Sequence, residues 1–338
     1  MAIVLAVTGG LPFGTGVLGA APPDAEASRP TTGKTAVGSA DHEPALPEKA
    51  APLNRRQTVF IDAAGKRLFL KTKVVLRRGQ LEMLCCLKQT KEHESILSID
   101  SKAYVVHAGL LALGAKPGHP VQFVPEFKPP SGQRIDIFAR WKDAKGHEHR
   151  VPAQKWIRTS PDRFYVVRMD RLPDDLTLPD DLPLRYDEEN KELSWYGHMT
   201  RPMLDRLLKL SRDPGYQKAI RKFFADSQYR PMTAHWVFAG STFFVDPATG
   251  RSQYGAEGGE LICVANFTTA TIDVAAPSSA SNDALLYEAD TNRIPPVGTP
   301  VLLELVPVFE KPNNVRPARG ATSEPSGGAK PEGRPNAP

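Results

Sequence analysis

The chain has 338 residues, with 43 lysines and arginines, 38 aspartates and glutamates, 32 prolines and only 3 cysteines. So few cysteines exclude a disulfide-stapled scaffold. The composition and the distribution of apolar residues match neither a collagen repeat nor a polytopic membrane protein. The net charge of +5 combines a basic N-terminal half with an acidic stretch at 170–192, which indicates internal charge complementarity and no nucleic-acid partner.

The N-terminus has the character of an export signal. Residues Ala2–Ala21 carry no charge and begin with an apolar run. Two small-x-small patterns, ending at Ala21 and Ala27, are typical of a signal-peptide cleavage site. Glycines and a proline break the apolar run, which excludes a stable bilayer span. We expect residues 1–27 to be an atypical or truncated secretory signal, with a merely disordered apolar terminus as the alternative, and the protein to reside in the periplasm or cell envelope.

Two Pro/Ala-rich segments flank the rest of the chain. Residues 28–52 and 312–338 show no hydrophobic periodicity and cannot bury enough apolar surface to offset their ordering entropy. We therefore predict a disordered linker, one ordered domain at 53–311, and a disordered tail.

The ordered part alternates strand-like runs with one helical segment before residue 162. The helix is predicted at 101–115, with Ser101 as its N-cap, Gly114 at its end, and Ala103, Val106, Leu110 and Leu113 at helical spacing on its apolar face. Residues 162–230 hold an acidic loop and two predicted helices, at 201–211 and 214–227, which read as a small helical insertion. The fold class is therefore α+β, a mainly antiparallel β domain with one packed helix. Strands are predicted at 59–61, 67–76, 81–87, 120–125, 134–141, 235–245, 261–267, 271–274, 284–287 and 299–308, with a hairpin turn at 142–146.

Several runs of the chain resemble the YdjY domain family of exported bacterial proteins. These runs are 81–95 and 107–118 in the first half and 236–243, 263–267 and 294–301 in the second. Together they span roughly 58–160 and 231–308, on either side of the predicted insertion. The resemblance implies an exported β-rich domain of uncharacterised function, and it supplies no catalytic residues.

Glu92, His93, Glu94 and Ser95 form the most polar loop that follows a predicted strand. A histidine between carboxylates can act as acid, base or ligand, and loops at the end of a sheet often hold binding groups. We predict a candidate binding loop here, with a solvated polar turn as the alternative.

The three cysteines offer a second candidate. Cys85 and Cys86 point to opposite faces if they lie on a strand, so only one of them can bridge to Cys263 in an oxidising compartment. The alternative is three buried thiols. The YdjY resemblance implies that Cys86 is the partner. A metal site from Cys86, His93, His107 and Cys263 is conceivable, but no ligand spacing supports it, and His107 also fits a hydrogen-bonded core residue.

Trp236, Phe238 and Phe244 alternate toward one face of the predicted strand at 235–245. Such a stripe indicates core, or a stacking surface for ligands if it is exposed. The leading hypothesis is thus a non-enzymatic exported domain that binds or organises an envelope component, without a cofactor, through the loop around Glu92–Ser95 and the aromatic strand. The alternative is a small redox or metal-dependent site built from Cys86, His93 and Cys263.

Overall fold

The computed structural model describes residues 43–277 and 286–309, which form eighteen strands and three helices. The helices are α1 (Ala103–Ala112), α2 (Arg201–Leu207) and α3 (Pro214–Asp226). The strands are β1 (Ala51–Pro52), β2 (Val59–Asp62), β3 (Arg67–Val74), β4 (Met83–Leu87), β5 (Ser95–Ile99), β6 (Arg134–Lys142), β7 (Glu148–Pro152), β8 (Ile157–Thr159), β9 (Phe164–Arg168), β10 (Leu184–Asp187), β11 (Glu192–Tyr196), β12 (Trp236–Val237), β13 (Phe243–Val245), β14 (Ser252–Tyr254), β15 (Ile262–Cys263), β16 (Asp273–Val274), β17 (Tyr287–Ala289) and β18 (Pro300–Pro307).

One 11-stranded sheet organises the domain. Its main path runs β15-β4-β5-β3-β18-β6-β12-β16, while β1 and β2 extend from β3 and β7 pairs with β6. All of these pairs are antiparallel except β4 with β5. The end strands meet through a parallel bridge between Ile262 and Ile272, so the sheet curls until its two ends touch. The mainly antiparallel α+β prediction is confirmed.

Side-chain alternation gives the curled sheet two buried faces. One face packs into an inner core, which includes Leu68, Leu70, Leu84, Val106, Leu110, Trp236 and Phe238. On the other face, Phe60, Phe69 and Leu302 form a smaller cluster that Leu46 and Ala50 cover. Residues 43–52, which the sequence assigned to the linker, therefore belong to the fold, and β1 pairs with β2.

Helix α1 packs on the inner core. Its predicted inward positions, Ala103, Val106, Leu110 and Leu113, are all fully buried, which confirms the helical spacing. The predicted Ser101 cap is replaced by a carboxylate from another part of the chain. Lys102 occupies the N-cap position without a side-chain bond, and Glu257 Oε1 accepts the Tyr104 N–H at 3.1 Å. Glu257 thereby ties α1 to the short 3-10 turn Gly255–Gly258.

The insertion contains both predicted helices, α2 and α3, and a three-stranded sheet in the order β10-β11-β9 that the sequence did not predict. Its core is its own and includes Leu184, Trp195, Tyr216 and Phe223. The chain leaves and re-enters the rest of the domain at neighbouring residues, because Thr159 N–H donates to Arg230 O at 2.8 Å.

Three predicted strands differ in the structure, and the one predicted at 261–267 is reduced to β15 (Ile262–Cys263). Residues 120–125 belong to a loop that is closed by a bridge between Gln122 and Lys128. The strand predicted at 235–245 is broken, because positive φ angles at Gly240 (+88°) and Ser241 (+60°) turn the chain between β12 and β13. Strand β13 therefore pairs with β14 in a separate hairpin.

The predicted signal at 1–27, the linker up to residue 42 and the tail at 312–338 lie outside the described residues. Within 43–277 and 286–309, no helix is both long and apolar enough to cross a bilayer.

Candidate functional site

The predicted binding loop is a 3-10 turn, Glu92–Glu94, between β4 and β5. Glu92 Oε1 accepts the Gln89 N–H at 2.9 Å, and the buried Ser95 hydroxyl donates to Leu97 O at 2.7 Å. Glu94 pairs with Lys91 at 3.2 Å. Only His93 faces solvent, with 77% of its side chain exposed. The polar groups of this turn are therefore engaged mainly with the turn and its neighbours.

Lys91 is the centre of a carboxylate cluster beneath that turn. Its ammonium lies 3.3 Å from Glu82, 3.2 Å from Glu94 and 3.6 Å from Glu260, and 4.8 Å from the ring centroid of Phe267. One cation thus faces three carboxylates. Burial, together with the neighbouring Glu94 carboxylate, raises the pKa of Glu82 to about 7.

The cysteines lie inside the protein as free thiols. Cys85 belongs to the inner core, whereas Cys86 and Cys263 share a small cluster with Met83 and Ala270. Burial raises the pKa of all three thiols, which disfavours the reactive thiolate. The shared cluster agrees with the predicted opposite-face arrangement of Cys85 and Cys86, and the bridge between Cys86 and Cys263 stays a prediction.

The four residues of the conceivable metal site are not brought together. Cys86 and Cys263 are fully buried, His93 is exposed on its turn, and His107 binds Tyr254 from α1. Across the described part of the chain, no three His, Cys, Asp or Glu side chains are grouped so that they could hold a metal ion.

The aromatic stripe is divided by the turn at Gly240–Ser241. Trp236 and Phe238 are fully buried in the inner core and cannot stack on a ligand, because no part of either ring reaches solvent. Phe244, by contrast, is 52% exposed on the hairpin that β13 and β14 form.

A cleft of ≈ 730 Å³ lies between the outer face of α1 and this hairpin. Its apolar walls are unusually open to solvent for aromatic and aliphatic side chains: Tyr104 is 55% exposed, Leu111 45% and Phe243 65%. We call it the α1 cleft, and its lining residues are Lys102, Tyr104, His107, Ala108, Leu111, Phe243, Ser252, Gln253, Tyr254 and Glu257.

His107 and Tyr254 connect the two walls of the α1 cleft. His107 Nδ1 and the Tyr254 hydroxyl are 2.8 Å apart, and the same hydroxyl lies 3.2 Å from Gly240 O and 3.1 Å from Thr271 Oγ1. Burial lowers the pKa of His107 and raises that of Tyr254 to about 12, so both side chains are neutral at pH 7. The predicted hydrogen-bonded role of His107 agrees with these contacts.

The cleft was not predicted, because α1 was expected only as a helix packed on the sheet, and of residues 243–245 only Phe244 was assigned to a stripe, either core or stacking surface. A signal was present in both elements. Helix α1 has no Asp, Glu, Lys or Arg and is apolar on its outward positions Tyr104, Ala108 and Leu111 as well as on its inward ones. Phe243, Phe244 and Val245 are consecutive apolar residues, so both faces of β13 are apolar, whereas a strand with one face in water normally alternates apolar and polar residues.

Residues 56–169 match the YdjY domain family. The chain contains a YdjY domain. The matched residues include α1, which forms one wall of the α1 cleft, and the turn at Glu92–Glu94. The hairpin that forms the other wall lies outside the match, as do the C-terminal strands β12, β15, β16 and β18 of the 11-stranded sheet. No curated protein matches the chain, and no solved structure does.

Proposed function

We propose that the protein is an exported, non-catalytic binding domain of the cell envelope, and that the α1 cleft holds a small molecule with an apolar or aromatic body. The observation that carries this proposal is the open apolar wall of Tyr104, Leu111 and Phe243. Ligand clefts typically have volumes of about 300–1,000 Å³ and combine apolar walls with a few polar groups. Exposed apolar patches on otherwise polar proteins commonly mark such sites.

The walls of the cleft are held in place before any ligand binds. Glu257 fixes the first turn of α1, and the hydrogen bond between His107 and Tyr254 joins α1 to the hairpin. At the open end of the hairpin, where β13 begins and β14 ends, Gly255 N–H donates to Thr242 O at 2.8 Å. Such preorganisation reduces the entropy that a ligand must offset when it binds.

A binding role is favoured over catalysis because the reactive groups are occupied or inaccessible. His107, the chemically versatile residue of the cleft, uses Nδ1 for Tyr254. The Cys/His alternative finds little support, since Cys86 and Cys263 are buried with raised pKa values while His93 points to solvent from a different environment. Export is supported by the uncharged N-terminal segment with its small-x-small patterns.

The neutral fluorescent probe N-phenyl-1-naphthylamine tests the proposal. We expect it to bind the full chain with an increase in fluorescence, and the double variant L111A/F243A to weaken binding by at least about tenfold, because two wall side chains lose apolar contact area. Both residues are exposed, so the variant should fold, which circular dichroism and thermal melting would check.

The matched control is F164A/V166A, which removes two exposed apolar side chains (68% and 46% exposed) from β9 in the insertion. It should bind the probe as the wild-type protein does. Absence of probe binding, or an equal loss in the control, would rule out the α1 cleft as the ligand site.

A further inference from the structure

A second cleft, of ≈ 660 Å³, adjoins the α1 cleft at the N-terminal end of α1. The two clefts share Lys102, Tyr104 and Glu257, so these residues form the boundary between them. The remaining lining residues of this second cleft, which we call the basic cleft, are Leu53, Asn54, Arg55, Arg56, Leu87, Lys88, Gln89, Thr90, Asp100, Ser101 and Val105.

Cations outnumber anions in the basic cleft. Arg55, Arg56, Lys88 and Lys102 face two carboxylates, those of Asp100 and Glu257. Asp100 is shared, because it pairs with Arg56 and lies 3.6 Å from Lys88. Arg55 has no ion-pair partner within the described residues. The basic cleft therefore has positive charge to offer an anion, in a concave site where Coulomb interactions are stronger than on an open surface.

Glu257 offsets the charge of Lys102 at the boundary between the two clefts. Its Oε2 lies 3.6 Å from Lys102 Nζ, and its Oε1 accepts the Tyr104 N–H. Beyond this pair the α1 cleft is lined by apolar and neutral groups, His107 among them because burial lowers its pKa. One continuous surface thus has an apolar half and a cationic half, with Tyr104 at the junction.

Resting on the proposed function, we propose that the ligand is a small anionic amphiphile. Its apolar or aromatic body occupies the α1 cleft, and its carboxylate, sulfonate or phosphate group lies in the basic cleft. Arginine and lysine donate charge-assisted hydrogen bonds to such groups, and these bonds are stronger than neutral ones. A ligand with a cationic group would be repelled, because the four basic side chains outnumber the carboxylates of Asp100 and Glu257.

A pair of probes separates the two proposals. 1-Anilinonaphthalene-8-sulfonate has the same aromatic body as N-phenyl-1-naphthylamine and adds one sulfonate. We expect the wild-type protein to bind the sulfonate probe about tenfold more tightly at low salt, with the preference declining as salt screens the charges. In R55Q/K88Q, which removes two exposed cations and keeps polar side chains, the ratio of the two affinities should fall from about ten to about one.

The control variant R212Q/R221Q removes two exposed cations from the insertion, where neither residue lines the α1 cleft or the basic cleft, and should keep the wild-type ratio. If neither probe binds, the proposed function fails. If the neutral probe binds and the sulfonate brings no preference, or if R55Q/K88Q keeps the preference, the binding function stands and the anionic ligand is overturned. The anionic ligand would also be overturned if the protein sedimented with phosphatidylglycerol vesicles but showed no preference for the sulfonate probe. That result would indicate a membrane surface as the partner.

Discussion

The free energy of unfolding is expected to fall as the pH rises from about 4 to about 7, by roughly 3 kcal/mol for each of two buried carboxyl groups. Burial raises the pKa of Glu82 from 4.5 and that of Asp273 from 3.8, in both cases to about 7. Between these values the folded protein keeps a proton that the unfolded chain has released. Folding is therefore linked to proton uptake, and stability declines with rising pH.

His107 contributes the opposite sign. Its pKa is lowered, so the unfolded chain binds the proton more readily and acid destabilises the folded state through this residue. Variants of the two carboxyl groups separate their effect on the free energy of unfolding from the opposing effect of His107.

D273N is the most direct test of the linkage. Asp273 is fully buried and accepts hydrogen bonds from Val274 N–H at 2.8 Å, Asn266 Nδ2 at 3.2 Å and Phe267 N–H at 3.3 Å. These donors favour the carboxylate, but the cost of burying its charge is larger. Urea unfolding from about pH 4 to about pH 8 should show a flatter profile for D273N, and a similar flattening for E82Q.

D205N changes an exposed carboxylate on α2 and serves as the matched control, with the wild-type slope expected. A D273N profile as steep as that of the wild-type protein would show that Asp273 is not the proton carrier in the folded state.

Replacement of Gly132 by alanine should lower the free energy of unfolding by at least about 3 kcal/mol. Gly132 has φ +140°, and a Cβ there would lie 2.1 Å from Phe238 O. The obstacle is backbone held from both sides, since Phe238 O accepts the Gly118 N–H at 2.9 Å and Phe238 N–H donates to Gln133 O at 2.8 Å. Relief of the clash therefore requires separation of three chain segments.

G146A is the matched control for G132A. Gly146, in the β6–β7 turn, also has a positive φ (+82°), but a Cβ there meets nothing within 4 Å. Its replacement should cost only about 1 kcal/mol, which is the penalty for a left-handed non-glycine residue. Equal losses in urea unfolding would contradict the steric explanation. Because the Phe238 ring packs 4.9 Å from His107, G132A should also weaken binding of the neutral probe.

The local elements of this fold follow from sequence patterns. The uncharged run with inward Ala103, Val106 and Leu110 forms α1, and the turn at 142–146 joins β6 to β7 as predicted. The parallel pairing of β4 with β5 and the parallel bridge between Ile262 and Ile272 were not predictable, because each joins segments that are close in sequence, and short connections normally give antiparallel pairs. Propensity also missed the break after Val237, since apolar residues continue on both sides of Gly240 and Ser241.

The candidate site was harder to predict than the fold because a sequence pattern reports polarity and leaves exposure undetermined. His93 and its neighbouring carboxylates have the residue types of a functional loop. Yet Glu92 accepts the Gln89 N–H, and Glu94 forms an ion pair with Lys91. Tyr104 and Phe243 have the residue types of a core, yet more than half of each residue is exposed. Only the packing of α1 against the hairpin shows which apolar residues were left uncovered.

The insertion leaves and re-enters the rest of the domain at one point of the chain. Because Thr159 and Arg230 are hydrogen-bonded neighbours, a short turn between them would reconnect β8 to the segment that leads into β12. No strand of the 11-stranded sheet would lose a neighbour, since β9, β10 and β11 pair only with one another. The architecture can therefore gain or lose a whole folded unit at this single point while the sheet that positions α1 keeps its strand order.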